Sequence, residues 1–282
     1  MRIVAQMITP ADERRHPPGA GPDWEESWYL DFVGAGGGSH PAQGAARALA
    51  GYVRLTLRPA ERTAWFWAGM VGGGPALVTV RDHEVPPPVA GGLEVRASGL
   101  WTELVCETPL DHWSVGLEAF GVALDDPLEA WGRERGDPWA LGLDVEWEGA
   151  GEAVELADGY WQGCAVHGDV LVGAERFALD GAGTRVHRWG PAGRAAPAGW
   201  AAGRLDDGTD FFFAGPEVEC DEEGRMRTLK AGGVTGTAIA HAPVLIPGAG
   251  RLARALCQYE GAGGGQGYGW AEWFHPAGSA LP

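Results

Sequence analysis

Carboxylic acids placed close to aromatic side chains are the residues of this chain that could do chemistry. Glu103 follows Trp101 by two positions, and Asp210 precedes Phe212 by two, so in an extended strand each acid shares a face with its aromatic partner. Glu26 lies in a tryptophan-rich N-terminal stretch. A carboxylic acid in an apolar site has a raised pKa and stays protonated near neutral pH. The pattern therefore favours an acid that protonates a bound substrate and so generates a cation.

Aromatic side chains would supply the second requirement of that chemistry, because their faces stabilise a desolvated cation by about 0.5–2 kcal/mol each. The chain holds 14 tryptophans in 282 residues. Core packing explains many tryptophans in any protein, so each one is a candidate for either role. The candidate substrate-binding residues are Trp65, Trp67, Trp101, Trp113, Tyr160, Trp161, Trp189 and Phe212.

Four side chains are candidate catalytic residues: Glu103, Asp210, Glu26 and His187. The competing interpretation for each acid is a solvated or salt-bridged surface residue. His187 shares a strand face with Trp189, and this pair could instead hold two parts of the protein together.

The elements that must position these residues are short strands. The 47 glycines and 20 prolines fall between short apolar runs, which is typical of strands joined by turns. Residues 51–59 and 141–148 alternate apolar and polar side chains with a period of two, the pattern of an antiparallel sheet with one buried face. We expect an all-β protein, a barrel or a sandwich, with short helices at most over residues 41–49, 127–135 and 250–258.

A Gly/Glu/Ala-rich stretch at residues 149–158 is the best internal boundary. It predicts two β domains, residues 1–150 and 151–282.

Composition excludes several functional classes. A net charge of −17 without a basic block argues against nucleic acid and anionic membrane surfaces as partners. The eight histidines form no HExxH motif and the four cysteines no CxxC pair, so we expect neither a metal site nor a cofactor. No Gly-x-Ser-x-Gly elbow or phosphate-binding loop is present. Without a signal peptide or an 18-residue apolar window, we expect a cytoplasmic protein with a small-molecule partner and no membrane insertion. The oligomeric state is left open.

Several motifs resemble a bacterial family of lipocalin-like double-domain proteins. They lie at residues 9–13, at His16, and at residues 22–29, 51–59 and 267–274. A further motif lies at residues 183–190, where Arg185-Val186-His187-Arg188-Trp189-Gly190 is similar to the family's Arg-x-His-Ser-Trp-Gly signature. Arg188 replaces the serine of that signature. The wider group includes carotenoid 1,2-hydratase, AttH-like proteins and lipocalin-like natural-product cyclases.

The resemblance implies two consecutive lipocalin-like antiparallel β-barrel domains with an apolar pocket, and acid-initiated chemistry on a long hydrophobic alkene. We therefore expect a cofactor-independent hydratase or cyclase acting on an isoprenoid or polyene. Two alternatives use the same aromatic wall without a buried acid: a non-catalytic carrier of a hydrophobic metabolite, and a pericyclase that works by shape.

Overall fold

A computed structural model describes residues 8–35, 48–89, 91–132, 135–192 and 199–278. This part of the chain is almost entirely β, with two short 3₁₀ helices, Pro10–Glu13 and Pro127–Trp131. No helix within it is long and apolar enough to cross a bilayer.

The first sheet takes up the N-terminal two thirds of the chain. Its strands are β1 (Trp24–Ala35), β2 (Ala48–Arg58), β3 (Thr63–Val71), β4 (Leu77–Val85), β5 (Glu94–Ala97), β6 (Leu100–Thr108), β7 (His112–Leu124), β8 (Asp137–Gly149), β9 (Val154–Leu156), β10 (Gly159–Val172) and β11 (Glu175–Pro191). They follow the order β4-β3-β2-β1-β11-β10-β8-β7-β6-β5, and β4 also pairs with β7, which closes the sheet into a ring.

The second sheet is an open half-barrel. Its strands are β12 (Gly199–Leu205), β13 (Asp210–Ala214), β14 (Glu217–Cys220), β15 (Met226–Ala231), β16 (Val234–His241), β17 (Val244–Ile246), β18 (Gly250–Gly261) and β19 (Gln266–Pro276). The order is β13-β12-β19-β18-β16-β15-β14, with β17 beside β18. The prediction of an all-β protein with two antiparallel barrel-like units is confirmed.

The boundary between the two sheets differs from the domain boundary that the composition predicts. The first sheet runs to Pro191 and the second begins at Gly199, so the expected boundary at residue 150 falls inside the first sheet, between β8 and β10. The strands on either side of this point pair through nine consecutive residue positions, from Cys164 opposite Gly149 to Val172 opposite Leu141.

The helical expectation for residues 250–258 is wrong, because they form β18, which pairs with β19 on one side and with β16 and β17 on the other. A central strand buried on both faces reads as a continuous apolar run, which periodicity does not distinguish from a buried helix. Residues 127–131 do form a short helical turn, whereas the expectation for residues 41–49 lies almost wholly outside the described residues.

Strand β1 contributes to two cores because its side chains alternate between the faces of the sheet. Trp28, Leu30 and Phe32 point into the ring and pack in its core. Tyr29 points the other way, into the layer between the two sheets. We call this second core the intersheet layer; its large side chains are Tyr29, Tyr52 and Trp67 from the first sheet and Trp200, Leu256 and Trp270 from the second.

Candidate functional site

Asp31 is a buried carboxylic acid at the intersheet layer, with only 3% of its surface exposed. It lies on the same face of β1 as Tyr29, whose hydroxyl donates a hydrogen bond to Asp31 Oδ2 at 2.8 Å. The Thr184 backbone N–H donates to Oδ1 at 2.7 Å. Burial outweighs these two hydrogen bonds and raises the pKa of Asp31 to about 7. At neutral pH a large fraction of this side chain is therefore the neutral acid.

A small cavity of about 10 Å³ lies beside this acid. Asp31 and Thr184 line it from the first sheet, and Arg204 and Tyr268 from the second. A cavity of this size is close to the minimum that one water molecule needs. Asp31 thus combines a carboxyl group that is partly protonated at neutral pH with a space the size of a single water.

Asp210, one of the expected acids, holds Arg204 at this cavity. The Arg204 guanidinium donates two hydrogen bonds to the Asp210 carboxylate, at 2.6 and 2.8 Å. Such a bidentate pair fixes the orientation of both side chains. Asp210 is therefore the ion-pair partner of Arg204 beside the cavity.

Arg254 is the charged centre of the intersheet layer and is 1% exposed. It donates to the Tyr29 hydroxyl at 3.0 Å and forms an ion pair with Glu272. Burial opposes ionisation of Glu272, but Arg54 and Arg254 outweigh it and lower the Glu272 pKa to about 2. A hydrogen-bonded chain therefore runs from Asp31 through Tyr29 and Arg254 to an ionised Glu272.

The aromatic rings of the layer surround this guanidinium. Its carbon lies 4.0 Å from the ring centre of Tyr52 and 4.7 Å from that of Tyr29, with Trp200 at 5.6 Å and Trp270 at 6.0 Å. Part of the aromatic excess in the sequence thus stabilises a cation that belongs to the protein itself.

A second buried polar group lies inside the ring, near the end where β1 begins. Glu26 Oε1 is 2.8 Å from His16 Nδ1 and 3.0 Å from His187 Nε2, and the His16 backbone N–H donates to both carboxylate oxygens. We call His16, Glu26 and His187 the barrel-end cluster. Burial raises the Glu26 pKa against the hydrogen bonds from His16, and burial lowers the His187 pKa to about 3. The donor atoms of the three residues lie within 4.8 Å of one another, a set that could hold a metal ion.

Two predicted aromatic residues, Tyr160 and Trp189, contact this cluster, and a third, Trp113, contacts Glu13. Trp189 stacks on His16 with ring centres 3.9 Å apart, and Tyr160 meets His187 edge-on at 5.8 Å.

Glu13 anchors the segment that carries His16. Arg185 donates to both Glu13 oxygens, at 2.6 and 3.0 Å, and to the Tyr160 hydroxyl at 3.0 Å. The Trp113 indole N–H donates to Glu13 at 2.9 Å. These contacts close one end of the ring with the N-terminal segment.

Glu103 and Trp101 lie on the outside of the first sheet. Glu103 is exposed, and the half-buried Trp101 donates its indole N–H to Glu94. The two do share a strand face, as expected. This face is on the outside of the sheet, so Glu103 does not lie in an apolar interior. A period of two shows which residues share a face and leaves open which face is buried.

The other predicted aromatic residues border the intersheet layer. Trp65 and Trp67 stack with ring centres 6.0 Å apart, and the Trp67 indole N–H donates to His83. Trp161 of the first sheet stacks on Phe212 of the second at 5.7 Å. Trp65, Trp161 and Phe212 are half-buried and form the margin of the layer.

Sequence reasoning did not single out Asp31, Arg254, His16 or Glu13 as site residues. A signal existed for Asp31, because it is the only charged residue between Trp28 and Ala35. Glu26 lies 10 positions from His16, and Tyr29 lies 225 positions from Arg254, so no short motif contains these pairs.

Comparisons with known proteins support this architecture. Kievitone hydratase from Nectria haematococca is similar in structure, with 14% sequence identity, a TM-score of 0.54 and coverage of 89% of each chain. An AttH-type protein from Nitrosomonas europaea has 10% identity and a TM-score of 0.57, covering 96% of this chain and 97% of its own. No curated protein shows a significant match to the sequence. A family model described as a domain of unknown function, DUF7064, matches residues 9–228. The chain therefore belongs to the DUF7064 family and shares its fold with a hydratase and an AttH-type protein.

Proposed function

We propose that the protein is a cofactor-independent hydratase or cyclase that acts on a hydrophobic alkene, with Asp31 as the proton donor. The observation that carries this proposal is the position of Asp31, a buried carboxyl group with a raised pKa beside a water-sized cavity at the intersheet layer. Hydration of an alkene consumes water and needs an acid catalyst. A structurally similar hydratase supports the same reaction type.

The proposed reaction begins with transfer of the Asp31 proton to one alkene carbon, which leaves a carbocation on the other. The hydrogen bonds from Tyr29 and Thr184 stabilise the carboxylate that forms. In hydration, a water molecule bound in the cavity would add to the cation and return a proton to Asp31, so the acid is regenerated and the net reaction consumes the alkene and one water. In cyclisation, a second double bond adds to the cation and the resulting ring loses a proton to Asp31.

The substrate would enter between the two sheets at the margin of the intersheet layer. Trp65, Trp161 and Phe212 are half-buried there and offer apolar ring surface to a hydrocarbon chain. The cavity admits one water, so the substrate must separate side chains at this margin as it binds. The Arg254 charge is balanced by Glu272, which limits its repulsion of a nearby carbocation.

Turnover of linear isoprenoid hydrocarbons, alcohols and diphosphates, followed by gas chromatography–mass spectrometry with EDTA present, tests the proposal. The wild type should give a hydrated or cyclised product. Asp31→Asn should lower the rate by at least about 100-fold, because general acid catalysis contributes 10²–10⁴-fold. Glu103→Gln is the matched control, since this acid is exposed, and it should retain full activity.

The same experiment separates the alternatives. Product formation that survives in Asp31→Asn would favour a pericyclase that works by shape. Substrate that remains unchanged but bound, with quenching of tryptophan fluorescence, would favour a carrier.

A further inference from the structure

The barrel-end cluster has the composition of a metal site, although its residues form no metal-binding motif in the sequence. Two imidazole nitrogens and a carboxylate oxygen converge within 4.8 Å: His16 Nδ1, His187 Nε2 and a Glu26 oxygen. Two histidines and one glutamate are a ligand set that zinc accepts, with a fourth position left for water. His16 and His187 are separated by most of the first sheet, so no HExxH-like pattern could contain both.

The side chains of the cluster are held in place by stacking on aromatic rings. Trp28 stacks on His187 with ring centres 4.6 Å apart, and Trp189 stacks on His16 at 3.9 Å. Metal sites need ligands whose rotamers are fixed by their surroundings, because each ligand must lie close to its bonding position.

Binding of an ion requires the ligand atoms, which lie within 4.8 Å of one another, to take up a more even spacing. Glu26 Oε1 is 2.8 Å from His16 Nδ1 and 3.0 Å from His187 Nε2. Metal–ligand bonds of 2.0–2.2 Å in tetrahedral geometry would place neighbouring ligand atoms about 3.3 Å apart. His16 precedes β1 and has 21% of its side chain exposed, so it can shift and leave an entrance for the ion.

The imidazole proton of His187 does not prevent metal binding. His187 Nε2 faces Glu26, so the other ring nitrogen, Nδ1, can carry the imidazole proton when Nε2 binds an ion. The Asp12 carboxylate lies 4.0 Å from His16 Nε2 and adds negative charge beside the entrance.

We propose that His16, Glu26 and His187 bind a divalent transition-metal ion, with zinc as the reference ion and water as the fourth ligand. This site lies inside the ring and is independent of Asp31 and the proposed function.

The first test is titration of EDTA-treated, desalted protein with Zn²⁺ by calorimetry, with Co²⁺ as a spectroscopic substitute. One ion per chain should bind, and Co²⁺ should give the intense visible absorption of a tetrahedral site. Absence of both signals in the wild type would overturn the proposal.

Variants locate the ion. A matched control is the solvent-accessible set of His112, Glu146 and His167, in which both histidines lie 3.1–3.2 Å from one Glu146 oxygen. His16→Gln changes a half-buried residue outside the strands and should weaken binding at least about tenfold, while Glu146→Gln should leave it unchanged. Far-UV circular dichroism without metal shows whether each variant is folded. Binding that survives His16→Gln and disappears in Glu146→Gln would overturn the assignment. Asp31→Asn should bind Zn²⁺ normally, so the outcome does not depend on the proposed function.

Discussion

The guanidinium of Arg254 lies 4.0 Å from the ring centre of Tyr52, although the two residues belong to different sheets. This contact, with the Arg254–Glu272 ion pair, places a paired charge in the middle of an aromatic layer. A buried pair of this kind is weak evidence for stability, but removing one partner leaves an uncompensated charge. The stability of the intersheet layer is therefore sensitive to any change in its charged residues.

Glu272→Gln should destabilise the protein by about 3–5 kcal/mol, since Arg254 would remain buried without its carboxylate. Urea denaturation measures the difference. Glu103→Gln, on the exposed outer face, serves as the control and should change stability by less than about 0.5 kcal/mol. A loss below about 1 kcal/mol for Glu272→Gln would show that the intersheet layer is more hydrated than its burial indicates.

Asp31 should make stability depend on pH. Its pKa is about 7 in the fold and 3.8 as a free side chain, so the neutral form favours folding. Ionisation of Asp31 in the fold therefore lowers the free energy of unfolding. This loss is absent below about pH 4, grows as the pH rises, and reaches its full value above pH 7. Asp31→Asn removes this loss. The stability gain of the variant should therefore be larger at pH 8 than at pH 5, on the order of 3 kcal/mol. Urea unfolding of both proteins at the two pH values tests this; an equal difference at both would contradict it.

Glu13→Gln should release the N-terminal segment from the end of the ring. Arg185 is 3% exposed and would lose the carboxylate that accepts two of its hydrogen bonds. We expect faster hydrogen–deuterium exchange over residues 8–23 and a stability loss of about 3–5 kcal/mol. Arg14→Ala, an exposed change in the same segment, should leave both quantities unchanged. Unaltered exchange in Glu13→Gln would mean that other contacts hold the segment.

Gly183→Ala should separate β1 from β11 next to Asp31. A Cβ at this position would lie 2.0 Å from the Asp31 carbonyl oxygen, so the backbone must shift. We expect a loss of at least about 2 kcal/mol, in the range for overpacked sites. At Gly151 an added Cβ meets nothing within 4 Å, which makes Gly151→Ala the control for the same change of residue type. Equal thermal stability of the two variants would contradict the close packing of these strands.

Local patterns were sufficient to predict the fold class. Alternation over residues 51–59 and 141–148 corresponds to strands β2 and β8, because the apolar face of each packs in the core of the ring and imposes a period of two. The boundary between the two units could not be predicted from composition. Strands β10 and β11 belong to the first sheet, where β11 pairs with β1, and composition does not show pairing between strands so far apart in sequence.

The site was only partly predictable. Glu26, His187 and Trp189 were singled out and lie together, since β1 and β11 pair in this register. Glu103 was chosen for its spacing from Trp101, and spacing does not determine which face is buried. Arg254 lies in a segment whose apolar run favoured a helix, so its position opposite Tyr29 depends on the packing of two sheets.

The protonation state of Asp31 at neutral pH is the central claim, and carboxyl ¹³C NMR tests it most directly. A pH titration of protein labelled at its aspartate carboxyl carbons, with Asp31→Asn as the reference, would assign the signal. We predict one aspartate resonance with a midpoint near pH 7 that is missing from the variant. A wild-type Asp31 signal that is fully ionised by pH 5 would contradict the proposed proton donor.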